Sequence, residues 1–117
     1  MRIKIDLFSD TKTRPSKAML NAMVSADVGD EQAGEDPTTR TLEDKVAHLL
    51  GKEAALFVPS GTMCNQIAMA VHCKPGDEII ADKTAHIINF EAAGAAVIAR
   101  AMIKPLDGIN GVYTVDQ

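Results

Sequence analysis

"FVPSGTMCNQ", residues 57 to 66, packs an apolar run, a proline, a Ser-Gly-Thr turn and the start of a helical pattern into ten letters. A strand that breaks on Ser60-Gly61-Thr62 before a helix with no charge in its first two turns leaves backbone amides pointing outward. Such amides, reinforced by the helix dipole, attract an anion. Gly61 lets a ligand approach the backbone closely, and Thr62 adds a hydroxyl donor. The loop holds no lysine, which excludes a nucleotide P-loop with its Gly-Lys-Ser/Thr signature. On the tripeptide alone, a plain helix cap is the commoner reading.

Working outward, "AALFV" (54–58) is apolar on consecutive residues, as a strand covered on both faces reads. Met63, Ile67, Ala70 and Val71 mark the inward face of the helix that follows, which Lys74-Pro75-Gly76 ends. "EIIA" is a second buried strand, "HIINFEAAGAA" reads as helix as far as Gly94, and "ARAMIK" is a third strand closing on Pro105. The tail carries two glycine turns and a few strand-like residues. Upstream, Leu42, Val46, Leu49 and Leu50 share one helix face, behind capping threonines and ahead of a left-handed cap at Gly51. "GDEQAGEDPTT" is loop, and Pro15-Ser16 lead into a short amphipathic helix through Leu20, Met23 and Val24. Ile3, Ile5 and Leu7 alternate with polar residues as an extended arm with one covered face.

Strands alternating with helices predict an α/β fold with a mostly parallel sheet and helices on both faces. Three short strands leave open edges and one incompletely covered face. Either copies of this chain or further polypeptide must cover it.

At 117 residues the chain amounts to one domain, able to bury roughly 65% of its unfolded surface. A net charge of −4, 3% aromatic residues and no Lys/Arg cluster exclude a nucleic-acid footprint or a polybasic membrane patch. The uncharged stretch from Ala54 to Cys73 is broken by Pro59, Asn65, Gln66 and His72, so it does not read as a membrane span. Cys64 and Cys73 are placed on opposite faces of one helix, and no metal-ligand spacing surrounds them, so neither a disulfide nor a metal site is expected. With no secretory signal, this composition fits a reducing cytoplasm.

His86 opens a helix on the side where strand ends face a ligand; it could stack on a ring or move a proton, or simply cap its helix. His48 and His72 read as structural, and Cys64 as a small buried thiol. Ser9-Asp10-Thr11 with Thr13-Arg14 is a polar patch that solvation alone would explain, and Glu35-Asp36-Pro37 reads as a helix-entry turn.

Four separated motifs, "DLFSDTKTRPS", "GDEQAGEDPTTRTLEDKVAHLLGKEAALFVPSGTMCNQ", "HCKPGDEII" and "TAHIINFEAAGAA", resemble in order the N-terminal part of the threonine aldolase and β-eliminating lyase family, pyridoxal-phosphate enzymes of fold type I. The resemblance runs from Ile5 to Pro105. It implies that residues 1–38 form an arm, short helix and loop, and that 39–117 begin the cofactor-binding large domain. It implies that Gly61 and Thr62 hold the cofactor phosphate, that His86 stacks on the pyridine ring, with the proton step falling to His86, to water or to another histidine, and that Ser9 lies by the substrate carboxylate. The implied reaction is aldol cleavage of a small β-hydroxy-α-amino acid, threonine to glycine and acetaldehyde. β-Elimination with the same cofactor, and a non-catalytic phosphate-binding or association fragment, are the alternatives. In the family, Glu35-Asp36-Pro37 lies near a subunit boundary and active sites form between two chains, implying a homo-oligomer or association with a C-terminal part. Gln32-Ala33 stands where an aromatic is common, and Phe8 where arginine is common. The family's cofactor-bearing lysine, its aspartate for the pyridine nitrogen and its arginine for the substrate carboxylate fall later in its sequence, so this stretch alone is expected to be inactive.

Overall fold

The computed structural model describes residues 5–117. The chain divides into two units, one ending at Phe57 and the other Val58–Gln117. In the first, Ser9 caps a single 3-10 turn, Asp10–Lys12, ahead of α1 (Lys17–Val24) and α2 (Pro37–Leu50). Ser16 caps α1 by accepting the Met19 amide, yet every residue of that helix is exposed. The start of the expected arm falls at Ile3, outside the described residues. Ile5 and Leu7 are exposed and pair with no strand among the described residues, so the covered face does not form there.

The cap of α2 is Asp36 rather than the threonines. Its two oxygens accept the amides of Thr39 at 2.7 Å and Gly29 at 2.9 Å, and these bonds hold the carboxyl below its ordinary range, while Thr38 and Thr39 lie already within the first turn. Pro37 takes the first helical position, where a missing N–H loses no bond, and Gly51 closes the helix at φ 62°. The inward face also differs from the expected one: Ala47 is buried and Glu43 and Val46 half-buried, while Leu49 and Leu50 stay exposed. Glu43 turns inward because its carboxylate accepts the Phe57 amide at 2.7 Å. That bond draws Ala55, Leu56 and Phe57 along α2, with Leu42 and Val46 completing an apolar hollow.

The second unit contains α3 (Gly61–His72), β1 (Glu78–Asp82), α4 (His86–Asn89), a π-helical turn (Ala95–Ala99) and β2 (Met102–Leu106). β1 and β2 pair in parallel with Glu78 opposite Met102 and Asp82 opposite Leu106, the parallel pairing that the strand-helix-strand order predicts. The expected strand at 54–58 is absent: these residues join no ladder among the described residues, and Leu56 and Phe57 are exposed. A strand needs a neighbour for its amides and carbonyls, and none is offered there. The helix expected through Gly94 stops at Asn89: Phe90 leaves helical geometry at φ −133°, and beyond it Ala92 and Ala93 adopt left-handed φ of 48° and 61°.

Met69, Ala95, Ala99 and Ala101 form the core, with Ile79, Ile87, Ile103 and Cys73 against it. Met69 is the one large side chain buried there, contributing about 1.5–3 kcal/mol of apolar burial. Consequently α3 points Thr62, Asn65, Gln66, Ile67 and Met69 inward; of the expected inward face Ile67 is half-buried, while Met63, Ala70 and Val71 are exposed. Gly94 permits this rotation: a Cβ there would press on the Gln66 side chain. The helices cover the Ile79–Ile103 side of the strand pair; Ile80 and Met102 stay exposed, the incompletely covered face the strand count predicted.

Candidate functional site

Ser60 leaves the preceding segment with extended backbone (φ −150°, ψ 150°), and its hydroxyl accepts the Met63 amide at 3.1 Å. The hydroxyl thus satisfies the third amide of α3 and leaves the first two. The amides of Gly61 and Thr62 have no partner among the described residues, and a Cβ on Gly61 would meet nothing within 4 Å. Two unpartnered amides at a helix start, an open approach and the Thr62 hydroxyl are donors of the kind that suit a phosphate monoester.

His86 is the first residue of α4, four positions past the carboxyl end of β1. It does not cap the helix, since Ala85 holds that position without a side-chain bond. Its Nδ1 lies 2.8 Å from Oε1 of Glu91, and the same oxygen accepts the Asn65 side-chain amide at 2.7 Å. The imidazole is 59% exposed while the Glu91 side chain is fully covered. Phe90 packs obliquely against the ring, 5.3 Å between centroids. Asn65 belongs to the second turn of α3, so one carboxylate oxygen ties the helix that starts at Gly61 to the histidine.

Glu91 is held below its ordinary carboxyl range, chiefly by the Asn65 amide and also by His86, against burial that pushes the other way. Its second oxygen, Oε2, is buried without a partner. The left-handed pair Ala92–Ala93 follows immediately, a conformation that costs about 1–2 kcal/mol per residue.

Of the residues the sequence nominates, Gly61, Thr62 and His86 all belong to the second unit, and the helix that Gly61 and Thr62 open is tied to His86 through Asn65 and Glu91. Ser9 belongs to the first unit, where its hydroxyl caps its own turn by accepting the Thr11 amide at 3.3 Å and meets the Thr11 hydroxyl at 2.9 Å. Lys83 pairs with Asp107 at 2.6 Å on the surface, which raises its pKa. Cys64, expected as a buried thiol, is exposed, because it lies off the face of α3 that meets the core; it and Cys73 are both free, and the described residues hold no cluster of three or more metal-ligating side chains. None of their helices is long and apolar enough to cross a membrane. The sequence reading missed Asn65 and Glu91. Glu91 carries a signal nonetheless, as the one charged residue between Lys83 and Arg100.

Unpartnered amides at a helix start and a histidine beyond a strand of a parallel pair place this stretch in an α/β fold, at positions where such folds hold ligands. The Beta-eliminating lyase family profile matches residues 6–117, and the chain belongs to that family. It is 52% identical over 114 residues to the low specificity L-threonine aldolase of Escherichia coli strain K12, covering 97% of this chain and 34% of that protein. It is 46% identical over 109 residues to the Saccharomyces cerevisiae low specificity L-threonine aldolase (92% and 28%), and 52% identical over 95 residues to low-specificity L-threonine aldolase 1 of Arabidopsis thaliana (80% and 26%). The chain spans between about a quarter and a third of the length of these relatives.

Proposed function

We propose that the protein to which this chain belongs is a pyridoxal-phosphate lyase that cleaves β-hydroxy-α-amino acids, threonine to glycine and acetaldehyde. The observation that carries this reading is the link from the first turns of α3 through Asn65 and Glu91 to His86, which joins a phosphate-suited donor set to an imidazole. In this reading the amides of Gly61 and Thr62, with the Thr62 hydroxyl, hold the phosphate. The exposed face of His86 lies against the pyridine ring, and Ser9 serves the substrate carboxylate. When bound, the cofactor supplies the sink for the electron pair released at Cα as the Cα–Cβ bond breaks. His86 is the titratable group this chain offers for the proton leaving the β-hydroxyl, and Nε2, which has no partner among the described residues, is the atom to hold it.

The exposed face of the strand pair and the exposed Met63 and Val71 on α3 support packing against more protein, either a second copy or the segments that the relatives carry beyond the matched third. The activity is proposed for that complete assembly, in the cytoplasm, and residues 1–38 and 39–117 are proposed as its arm and the start of its large domain.

The test is an assay of the intact protein with threonine beside β-chloroalanine. Acetaldehyde and glycine from threonine, lost on His86→Ala, support aldol cleavage. Turnover of β-chloroalanine alone assigns β-elimination instead, and turnover of neither overturns the lyase reading.

A further inference from the structure

Resting on the reading of His86 as the group that handles the β-hydroxyl proton, we propose that Glu91 is a positioning residue that locks the imidazole in its Nδ1–H tautomer and so presents Nε2 as the proton acceptor. An ionised carboxylate only accepts, so the 2.8 Å contact with Nδ1 requires the proton to be on that nitrogen. A neutral imidazole protonated at Nδ1 has its lone pair on Nε2. Free histidine favours the opposite tautomer, so the carboxylate reverses the intrinsic preference at this ring.

The construction around Glu91 is poorly explained by stability. A buried acceptor without a donor forfeits hydration, and Oε2 is such an atom. Placing the carboxylate also involves two consecutive alanines in the left-handed region, and such strain persists only where the surroundings enforce it. A core built for stability alone would put an apolar side chain here. Asn65 makes the arrangement directional: by donating to the same oxygen as His86 it fixes which carboxylate oxygen faces the ring, and it ties that oxygen to the helix proposed to hold the phosphate. Carboxylates that orient a functional histidine in this way are known to act through it without touching substrate.

The test is nitrogen-15 NMR of the intact protein with labelled histidine rings, above the pH at which they ionise, with His48 and His72 as internal references. Wild-type His86 is expected as Nδ1–H. Glu91→Leu is expected to revert it to the Nε2–H form and to lower kcat on the order of 10–100-fold with KM changed less than about twofold. Glu91→Gln, whose carbonyl still accepts from Nδ1, is expected to keep the tautomer and recover most of the lost kcat. A wild-type His86 in the Nε2–H form, or a Glu91→Leu protein with unchanged tautomer or kcat, overturns the proposal. Should Glu91→Leu fail to fold, the wild-type spectrum and Glu91→Gln decide. A protein without threonine cleavage fails the aldol-cleavage reading, whereas cleavage that needs His86 but is indifferent to Glu91 fails this inference alone.

Discussion

Two buried carboxylates lie nine residues apart in the second unit, and they are built to opposite standards. Asp82, at the carboxyl end of β1, uses both oxygens: one accepts the Thr84 amide at 2.8 Å and the Thr84 hydroxyl at 2.5 Å, the other the Gly108 amide at 2.9 Å. Those bonds, the Thr84 hydroxyl foremost, hold it below its ordinary range. Glu91 crowds both donors onto one oxygen and leaves the other bare. A fully satisfied carboxylate closes a turn and clips the tail to the strand. A half-satisfied one beside an imidazole makes sense as part of a site.

The sharpest way to break this contrast is to neutralise each carboxylate in turn. Asp82→Asn must aim an amide N–H at a backbone or hydroxyl donor whichever way it turns, so the melting temperature should drop by several degrees. Glu91→Gln keeps its one used oxygen and should melt near wild type. Equal losses in calorimetry would erase the distinction between clip and site. Gly108→Ala attacks the clip from the other side, since its Cβ would press on Asp82 Oδ2 and lie 2.7 Å from the Val112 carbonyl oxygen. We expect a loss of about 1–3 kcal/mol in denaturant unfolding.

Acid sharpens the same comparison. Both carboxyls titrate in the folded protein below their ordinary values of 3.8 for Asp82 and 4.5 for Glu91. Their stabilisation is therefore fully present above those values and is lost as the pH falls through the lowered folded ones. Denaturant unfolding followed from pH 7 downward should show the loss, and Asp82→Asn should remove its own share while leaving that of Glu91. The smallest effect is expected at Ala93→Gly, which relieves the φ of 61° and should raise stability by about 1 kcal/mol. If stability falls instead, the alanine is not strained and one argument for Glu91 as a site residue goes with it.

Much of the local chemistry was legible in the residues themselves. Ser16 before α1, Gly51 after α2, the Ser60-Gly61 break before α3 and His86 at the head of α4 all stand where capping and turn preferences put them. The misses share a cause. Residues 54–58 have strand composition but no strand beside them, and the face of α3 was assigned by hydrophobicity although the surface it meets offers Glu91 and Gly94. Periodicity ranks faces by how apolar they are, and a polar partner on the other side reverses the ranking.

By itself the sequence determined where backbone donors would be left open and which family the motifs resemble, because caps, turns and motif order are short-range features written in adjacent residues. Only the tertiary structure decided that Asn65 and His86 meet on one oxygen of Glu91, 26 and five residues away. Hydrogen-bond partners at such separations are chosen by how the helix, the strained turn and the strands pack, and no local preference specifies that choice.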